Sequence, residues 1–376
     1  MSTRFGFVST FPPTQCGLAT FTAALRGALL HSSTDEGWVV RLVDAPAAQP
    51  GDEVVAQLIT DDSASLRQAA AQLNLCDVAI VQHEYGVYGG ADGSEILHLL
   101  DQVRVPCIVV LHTVLTDPTP HQRQVLEAVT AKADAVVAMT MTAHDRLAAG
   151  YAVDMTKVAI IAHGAPALQT TMAEPTFRTG QFTVLTWGLL GPGKGIEWGI
   201  EAMAMLRDLA PMPRYMVAGQ THPKVLLHEG DAYRERLYEQ VRQADLGSMI
   251  TFDGYYRNTS ALASLVRSAD VVLLPYDSTE QVTSGVLIEA VAAGKPVVAT
   301  QFPHAREMLA GGAGLLVPHR DPAAIAAALR SVIMRRDVMT RMAAAAAATA
   351  PQLLWPVIAD QYRELADRLI MASVAA

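Results

Sequence analysis

The sequence predicts an α/β protein made of two doubly wound, Rossmann-like domains facing a central cleft. Three observations carry that expectation. A chain of 376 residues is too long for one ordinary core and long enough for two. Short β-branched runs alternate with helical patterns, as in parallel sheets joined by crossover helices. The runs form two similar sets, separated by a stretch rich in Pro, Thr and Gly.

In the first half, strands are expected at Phe5–Ser9, Val39–Val43, Val78–Gln82, Cys107–Leu111, Ala135–Met139 and Val158–Ile161. In the second they are expected at Phe182–Thr186, Tyr215–Ala218, Met249–Phe252, Val271–Leu274, Val297–Thr300 and Gly314–Val317. Between the sets, Gly164–Gly180 (GAPALQTTMAEPTFRTG) has neither helical nor strand periodicity and reads as a linker. The alanine tract Met342–Ala350 is a strong helix former. Pro351 and Pro356 then interrupt the pattern before a last amphipathic helix, Val357–Ile370. Two placements are open for that helix, on its own domain or across to the first. The expected division is therefore 1–165, a linker at 166–181, a second domain at 182–350 and a C-terminal helical segment at 351–376. In open sheets of this class ligands lie beyond the carboxyl ends of the strands.

Composition excludes several classes. Hydrophobic residues make up 51% of the chain, yet no apolar run is long enough to span a bilayer. The opening MSTRFGFVST has no apolar core with a cleavage site and reads directly as a first strand, so a cytoplasmic protein without a signal peptide is expected. Cys16, Cys76 and Cys107 are widely spread, which indicates neither a disulfide framework nor a zinc site. Residues 1–165 hold nine Lys and Arg against 17 Asp and Glu, leaving 19 against 20 for the remainder. Such an acidic first half repels nucleic acid and anionic lipid and suits a neutral partner.

The most informative segment is Tyr276–Thr300, YDSTEQVTSGVLIEAVAAGKPVVAT. It places Gln281, Thr283, Ser284 and Gly285 at the mouth of a helix and Glu289 inside it. Amides at a helix start are unpaired and suit a phosphate, while a carboxylate on the helix accepts from vicinal hydroxyls. After the strand FTVLTW comes Gly188-Leu189-Leu190-Gly191-Pro192-Gly193-Lys194-Gly195, which has Walker A spacing until its last position. There Gly195 lacks the hydroxyl that a Mg²⁺ ion requires, so the loop is read as a glycine-rich turn that sets Lys194 and amides against a diphosphate. The first loop, Thr10 to Gly17, is stiffened by prolines, with Gln15 and Gly17 at a helix entrance. His83-Glu84-Tyr85 and His112-Thr113 follow two further strands and are the candidate polar groups there. No His or Asp spacing for a metal accompanies them.

Together these residues resemble the retaining glycosyltransferases of family 4, with GT-B architecture. The resemblance runs from PPTQCG through LHT, IAHGAP and GLLGPGKG to the Gln281–Glu289 segment and WPVIADQY, most closely to a bacterial group bearing PPxQCGxATFT and GLLxPGKGIE. It implies an N-terminal acceptor domain, with Gln15, His83, Glu84 and Tyr85 on the acceptor side, and a C-terminal nucleotide-sugar domain. Glu289 would take the ribose hydroxyls, and the amides of Thr283 to Gly285 the distal phosphate and hexose. Lys194, with Gly193, would hold the diphosphate; Gly17 would let the backbone close on it; His112 would lie beside the hexose. The base would meet Tyr255 or Tyr256. Two positions depart from the family. Gln281 stands eight before Glu289 where a Glu is usual, with Glu280 one position early, and Leu189 stands where an Arg is usual. Arg306 and Lys224 are the candidate replacements for that cation.

The expected reaction is transfer of a hexose, mannose or glucose, from a GDP- or UDP-sugar to a saccharide or small hydroxyl acceptor. Lys194 and the helix amides would stabilise the leaving phosphate while His112 with Gln281 or Glu280 orients the sugar. Same-face attack, with the departing phosphate taking the proton, would need neither metal nor cofactor. A GT-B epimerase and a non-catalytic nucleotide-sugar-binding homologue are the alternatives.

Overall fold

The computed structural model describes residues 2–31, 34–167 and 180–375, which divide into two compact units, Met1–Gly164 with Trp355–Ala376, and Ala165–Leu354. The segment expected as the linker lies mostly outside the described residues.

The first unit begins β1 (Arg4–Ser9), α1 (Gly17–Leu30), β2 (Glu36–Val43), β3 (Val54–Ile59), α2 (Ser63–Leu73) and β4 (Val78–His83). It continues α3 (Ile96–Leu100), β5 (Cys107–Leu111), α4 (Pro120–Lys132), β6 (Ala135–Ala138), α5 (Met141–Gly150) and β7 (Val158–Ile160). All seven strands are parallel, in the order β3-β2-β1-β4-β5-β6-β7. The direction of winding therefore reverses between β1 and β4, and the loops that follow these two strands border the place where such sheets bind ligands. The sequence reading missed β3. Its run VVAQLI carries Ala56 and Gln57 and is only half buried, as an edge strand is, so it lacks the continuous apolar character of the central strands.

The second unit holds β8 (Thr183–Trp187), α6 (Ile196–Ala204), β9 (Arg214–Ala218), α7 (Pro223–Glu229), α8 (Ala232–Gln243), β10 (Ile250–Asp253) and α9 (Thr259–Ser268). Then follow β11 (Val271–Leu274), α10 (Gly285–Ala292), β12 (Val297–Thr300), α11 (Pro303–Met308), β13 (Gly314–Val317), α12 (Pro322–Met334) and α13 (Arg336–Thr349). Its six parallel strands run β10-β9-β8-β11-β12-β13, so the switch point lies between β8 and β11. These are the strands that precede the glycine-rich loop and the Gln281–Glu289 segment.

The chain then returns to the first unit as α14 (Trp355–Ala375). Pro356 does not precede this helix, as expected, but sits in its first turn, where the missing N–H would have had no intrahelical partner. One face of α14, with Trp355, Ile358, Tyr362 and Leu365, joins Phe5, Phe7, Phe21 and Leu25 in a single core. Arg363 pairs with Asp35 and donates to the Leu29 carbonyl, fixing the helix against the end of α1. Fully burying side chains of this size contributes about 1.5–3 kcal/mol each, so α14 is part of the first unit's core.

Candidate functional site

In the second unit the two loops at the switch point are tied to each other. The glycine-rich loop leaves β8 through Gly188 at φ 124°, passes Gly193 at φ 88° and enters α6 at Gly195, which caps the helix at φ 61°. A Cβ on Gly195 would stand 1.8 Å from the Pro275 carbonyl oxygen. No residue bearing a hydroxyl fits there, which removes the Walker A reading on steric grounds. The loop is pinned from the other side by Asp277, whose amide donates to the Gly193 carbonyl at 2.9 Å. The Asp277 carboxylate accepts from Trp198 Nε1 at 2.8 Å and pairs with Arg320. Lys194 Nζ lies 4.4 Å from the centroid of the Tyr276 ring, and Tyr276 in turn stacks on Phe302. An aromatic face holds an ammonium in place while leaving its N–H groups for an anion.

His222 stands beside this loop: its amide donates to the Leu190 carbonyl at 2.7 Å. Burial, then the charges of Lys224 and Lys194, hold its imidazole below the usual histidine range. The two lysines therefore act on one neighbourhood, so Lys224 is the better placed of the two candidate replacement cations. Arg306 instead binds Gln301 through its carbonyl and side-chain oxygens.

The helix mouth differs from the expectation in one respect. Ser284 is the N-cap of α10 and its hydroxyl accepts from the Leu287 amide. The Ser284 amide is not open, because it donates to Nδ1 of the buried His304 at 2.8 Å. The Thr283 hydroxyl beside it is buried without a partner among the described residues. The Gln281 side chain folds back, its Nε2 donating to the Thr283 carbonyl at 3.1 Å, and the Gln281 backbone carbonyl accepts from the His304 amide. Glu289, partly buried, accepts from Trp187 Nε1 at 3.2 Å. Burial pushes its carboxyl up to about 7, against the pull of the Trp187 N–H. Trp187, Tyr276 and His304 were missed by sequence reasoning. Trp187 ends β8, the strand-end cue used for the histidines of the first unit, whereas His304 lies in the first turn of α11 and carries no such cue. Tyr256, and more so Tyr255, are exposed after β10.

In the first unit, Cys16 caps α1, its sulfur accepting from the Ala19 amide, and Gln15 and Gly17 are exposed beside it. A Cβ on Gly17 would meet nothing within 4 Å, so only an external molecule would feel a side chain there. His112 Nε2 is 2.7 Å from Gln82 Oε1, and its ring packs edge-on to Phe21, which also packs against His163. Burial above all, then His163 and His83, push the His112 imidazole down to about 3, so it is neutral at physiological pH. Glu84 accepts from the Thr113 hydroxyl and the Tyr85 amide. His83 departs from the strand-end expectation. β4 extends through it, its side chain has no exposed surface, and burial pushes it down to about 4. Tyr85 is 8% exposed, so of the acceptor-side residues Gln15 is exposed, Glu84 partly exposed, and His83 and Tyr85 buried. Among the described residues no group of three or more His, Cys, Asp or Glu side chains could hold a metal ion, and no helix is long and apolar enough to cross a membrane.

Residues 181–335 match the family model described as glycosyl transferases group 1. The second unit therefore carries a group 1 domain. Over 318 residues the chain is 29% identical to a D-inositol 3-phosphate glycosyltransferase of Geodermatophilus obscurus, covering 77% of this chain and 66% of that one. Over 216 residues it is 28% identical to a glycogen synthase of Mycobacterium tuberculosis, covering 57% of this chain and 49% of the relative, about half its length. The structure of Anabaena HepE, solved with UDP and glucose, superposes with a TM-score of 0.76 at 18% identity, covering 96% of this chain and 98% of that one. The fold is the one expected, two parallel-sheet Rossmann-like units as in GT-B glycosyltransferases.

Proposed function

We propose that this protein is a retaining hexosyltransferase that takes mannose or glucose from a nucleoside-diphosphate sugar and passes it to a hydroxyl acceptor, without a metal or resident cofactor. The observation that carries the reading is the junction at the second unit's switch point. There Lys194, the α10 entrance and Glu289 share one scaffold inside a group 1 domain.

The chemistry follows from that scaffold. Cleavage of the glycosidic C–O bond builds negative charge on the distal phosphate and oxocarbenium character on the sugar. Lys194, with Lys224 nearby, and the first amides of α10 face the developing phosphate charge. Glu289 as a carboxylate accepts from the ribose hydroxyls. Gln281 presents an amide to the hexose, where a relative's carboxylate would only accept. His112, neutral, donates or accepts a hydrogen bond without adding charge. The departing phosphate is the base for the acceptor proton, which makes same-face attack the favoured course. GDP and UDP are both retained as donors, with GDP-mannose preferred on the family resemblance. A cytoplasmic site of action belongs to the same reading. Leu189 and Gln281 favour one second reading, a homologue that binds the donor without turning it over.

NMR of the reaction products of the full chain with GDP-mannose or UDP-glucose and a glycoside acceptor tests the mechanism. A product with the donor's anomeric configuration, formed undiminished in the presence of a chelator, is expected. An inverted anomer, or activity abolished by chelation and restored by Mn²⁺, contradicts it.

A further inference from the structure

Trp187 ends β8 and stands directly before the glycine-rich loop, with 4% of its surface exposed. Its Nε1 donates to Glu289 Oε2 at 3.2 Å. β8 and α10 approach closely at this place, since a Cβ built on Gly188 would lie 3.6 Å from Val286 Cγ2. An indole nitrogen only donates and an ionised carboxylate only accepts, so the bond has one polarity. Oε2 is thereby held from within the protein. Oε1 has no partner among the described residues and keeps accessible surface, so one oxygen of this carboxylate is fixed and the other is open.

No charged side chain among the described residues assists the indole. β12 (VVAT) and the 350–353 turn (APQL), which pack against α10, carry no ionisable group. α13, also packed there, carries Arg336, Asp337 and Arg341 at its exposed start, where Asp337 pairs with Arg341. His304 accepts from the Ser284 amide, and Lys194 lies over the Tyr276 ring. Burial accordingly raises the Glu289 carboxyl, and the Trp187 N–H is the group that opposes it. A donor that binds a charged acceptor more strongly than a neutral one favours the ionised form.

We infer that Trp187 is a positioning residue for donor capture: its indole N–H holds Oε2 of Glu289 so that Oε1 meets a ribose hydroxyl as a carboxylate, and capture of a nucleotide sugar releases the proton that the buried carboxyl otherwise keeps. The inference rests on the reading that Glu289 takes the ribose hydroxyls. The bond also ties that carboxylate to the strand end that launches the loop bearing Lys194, so one strand end sets both the ribose and the diphosphate contacts.

Calorimetric titration of the full chain and of Trp187→Phe with UDP-glucose and GDP-mannose, across pH and in two buffers of different ionisation enthalpy, tests it. The indole N–H resonances of the ligand-free wild type are followed by NMR over the same range. Without the Trp187 N–H, burial is unopposed and the carboxyl titrates higher, so the loss of affinity belongs to the lower pH range. The wild type is expected to release a proton on binding below about pH 7. Trp187→Phe is expected to bind about tenfold more weakly there and to recover to within about threefold above about pH 9. One of the four tryptophan indoles of the wild type is expected to titrate at about pH 7, and none in Glu289→Gln. An equal loss of affinity at every pH, binding by the wild type without proton release, or absence of a titrating indole overturns the inference. The last observation needs no variant and holds where Trp187→Phe does not fold. A titrating indole with no binding of either donor at any pH overturns instead the reading of Glu289 as the ribose ligand.

Discussion

At the scale of single residues, Gln281 and Glu289 do different work although they share one segment. Glu289 sits partly buried under the Trp187 indole with its carboxyl raised to about 7. A raised carboxyl is protonated in the folded protein where the unfolded chain is already ionised. It therefore favours folding below the ordinary carboxylate range and loses that contribution as pH rises through about 7. Ribose hydroxyls binding the ionised form would reverse that cost. Gln281 instead braces the helix entrance through Thr283 and His304. Gln281→Glu is expected to change kcat or the preference between mannose and glucose several-fold while leaving nucleotide affinity within about twofold, a comparison that steady-state kinetics with both donors makes directly. The positions of Glu289 and Lys194 were legible as local patterns, a carboxylate one helical turn past a polar mouth and a lysine in a glycine-rich turn, and their expected roles came with the family resemblance. His304 was not legible, because its partner, the Ser284 amide, lies 20 residues away and is brought to it by the return of β12.

At the scale of elements, the glycine-rich loop shows how backbone geometry decides between two readings of one motif. The sequence already lacked the Walker hydroxyl at position 195; the fold shows that it has no room for one. Gly195→Ser is expected to cost about 2 kcal/mol or more, from the left-handed φ and the clash with Pro275, and to confer no nucleotide hydrolysis. Chemical denaturation against the wild type checks it, and a variant of unchanged stability would contradict the geometry. The central strands were legible because burial on both faces makes continuous apolar runs, as in VVLL of β11 and CIVVL of β5. The edge strand β3 was not, because it is only partly buried at the sheet edge and Gln57 interrupts its apolar run. Pro356 misled for a related reason, since proline marks the interior of a helix as forbidden but its first turn as favourable.

At the scale of the whole molecule, two sheets of the same winding each turn a switch point toward loops rich in glycine and polar groups. Strand alternation made the two-unit plan legible. The return of α14 to the first unit was not, because an amphipathic helix shows that it has a partner and not which one. The central claim, that the second unit holds a nucleoside-diphosphate sugar through Lys194, the α10 entrance and Glu289, is a statement about binding and is tested as such. The decisive measurement is calorimetric titration of the full chain and of Glu289→Ala with GDP-, UDP- and ADP-sugars, on both sides of the pH at which Glu289 ionises. The account predicts that GDP- or UDP-sugars bind the wild type, more tightly at the higher pH, and do not bind Glu289→Ala. Absence of binding by every sugar nucleotide, or equal binding by the folded variant, would contradict it.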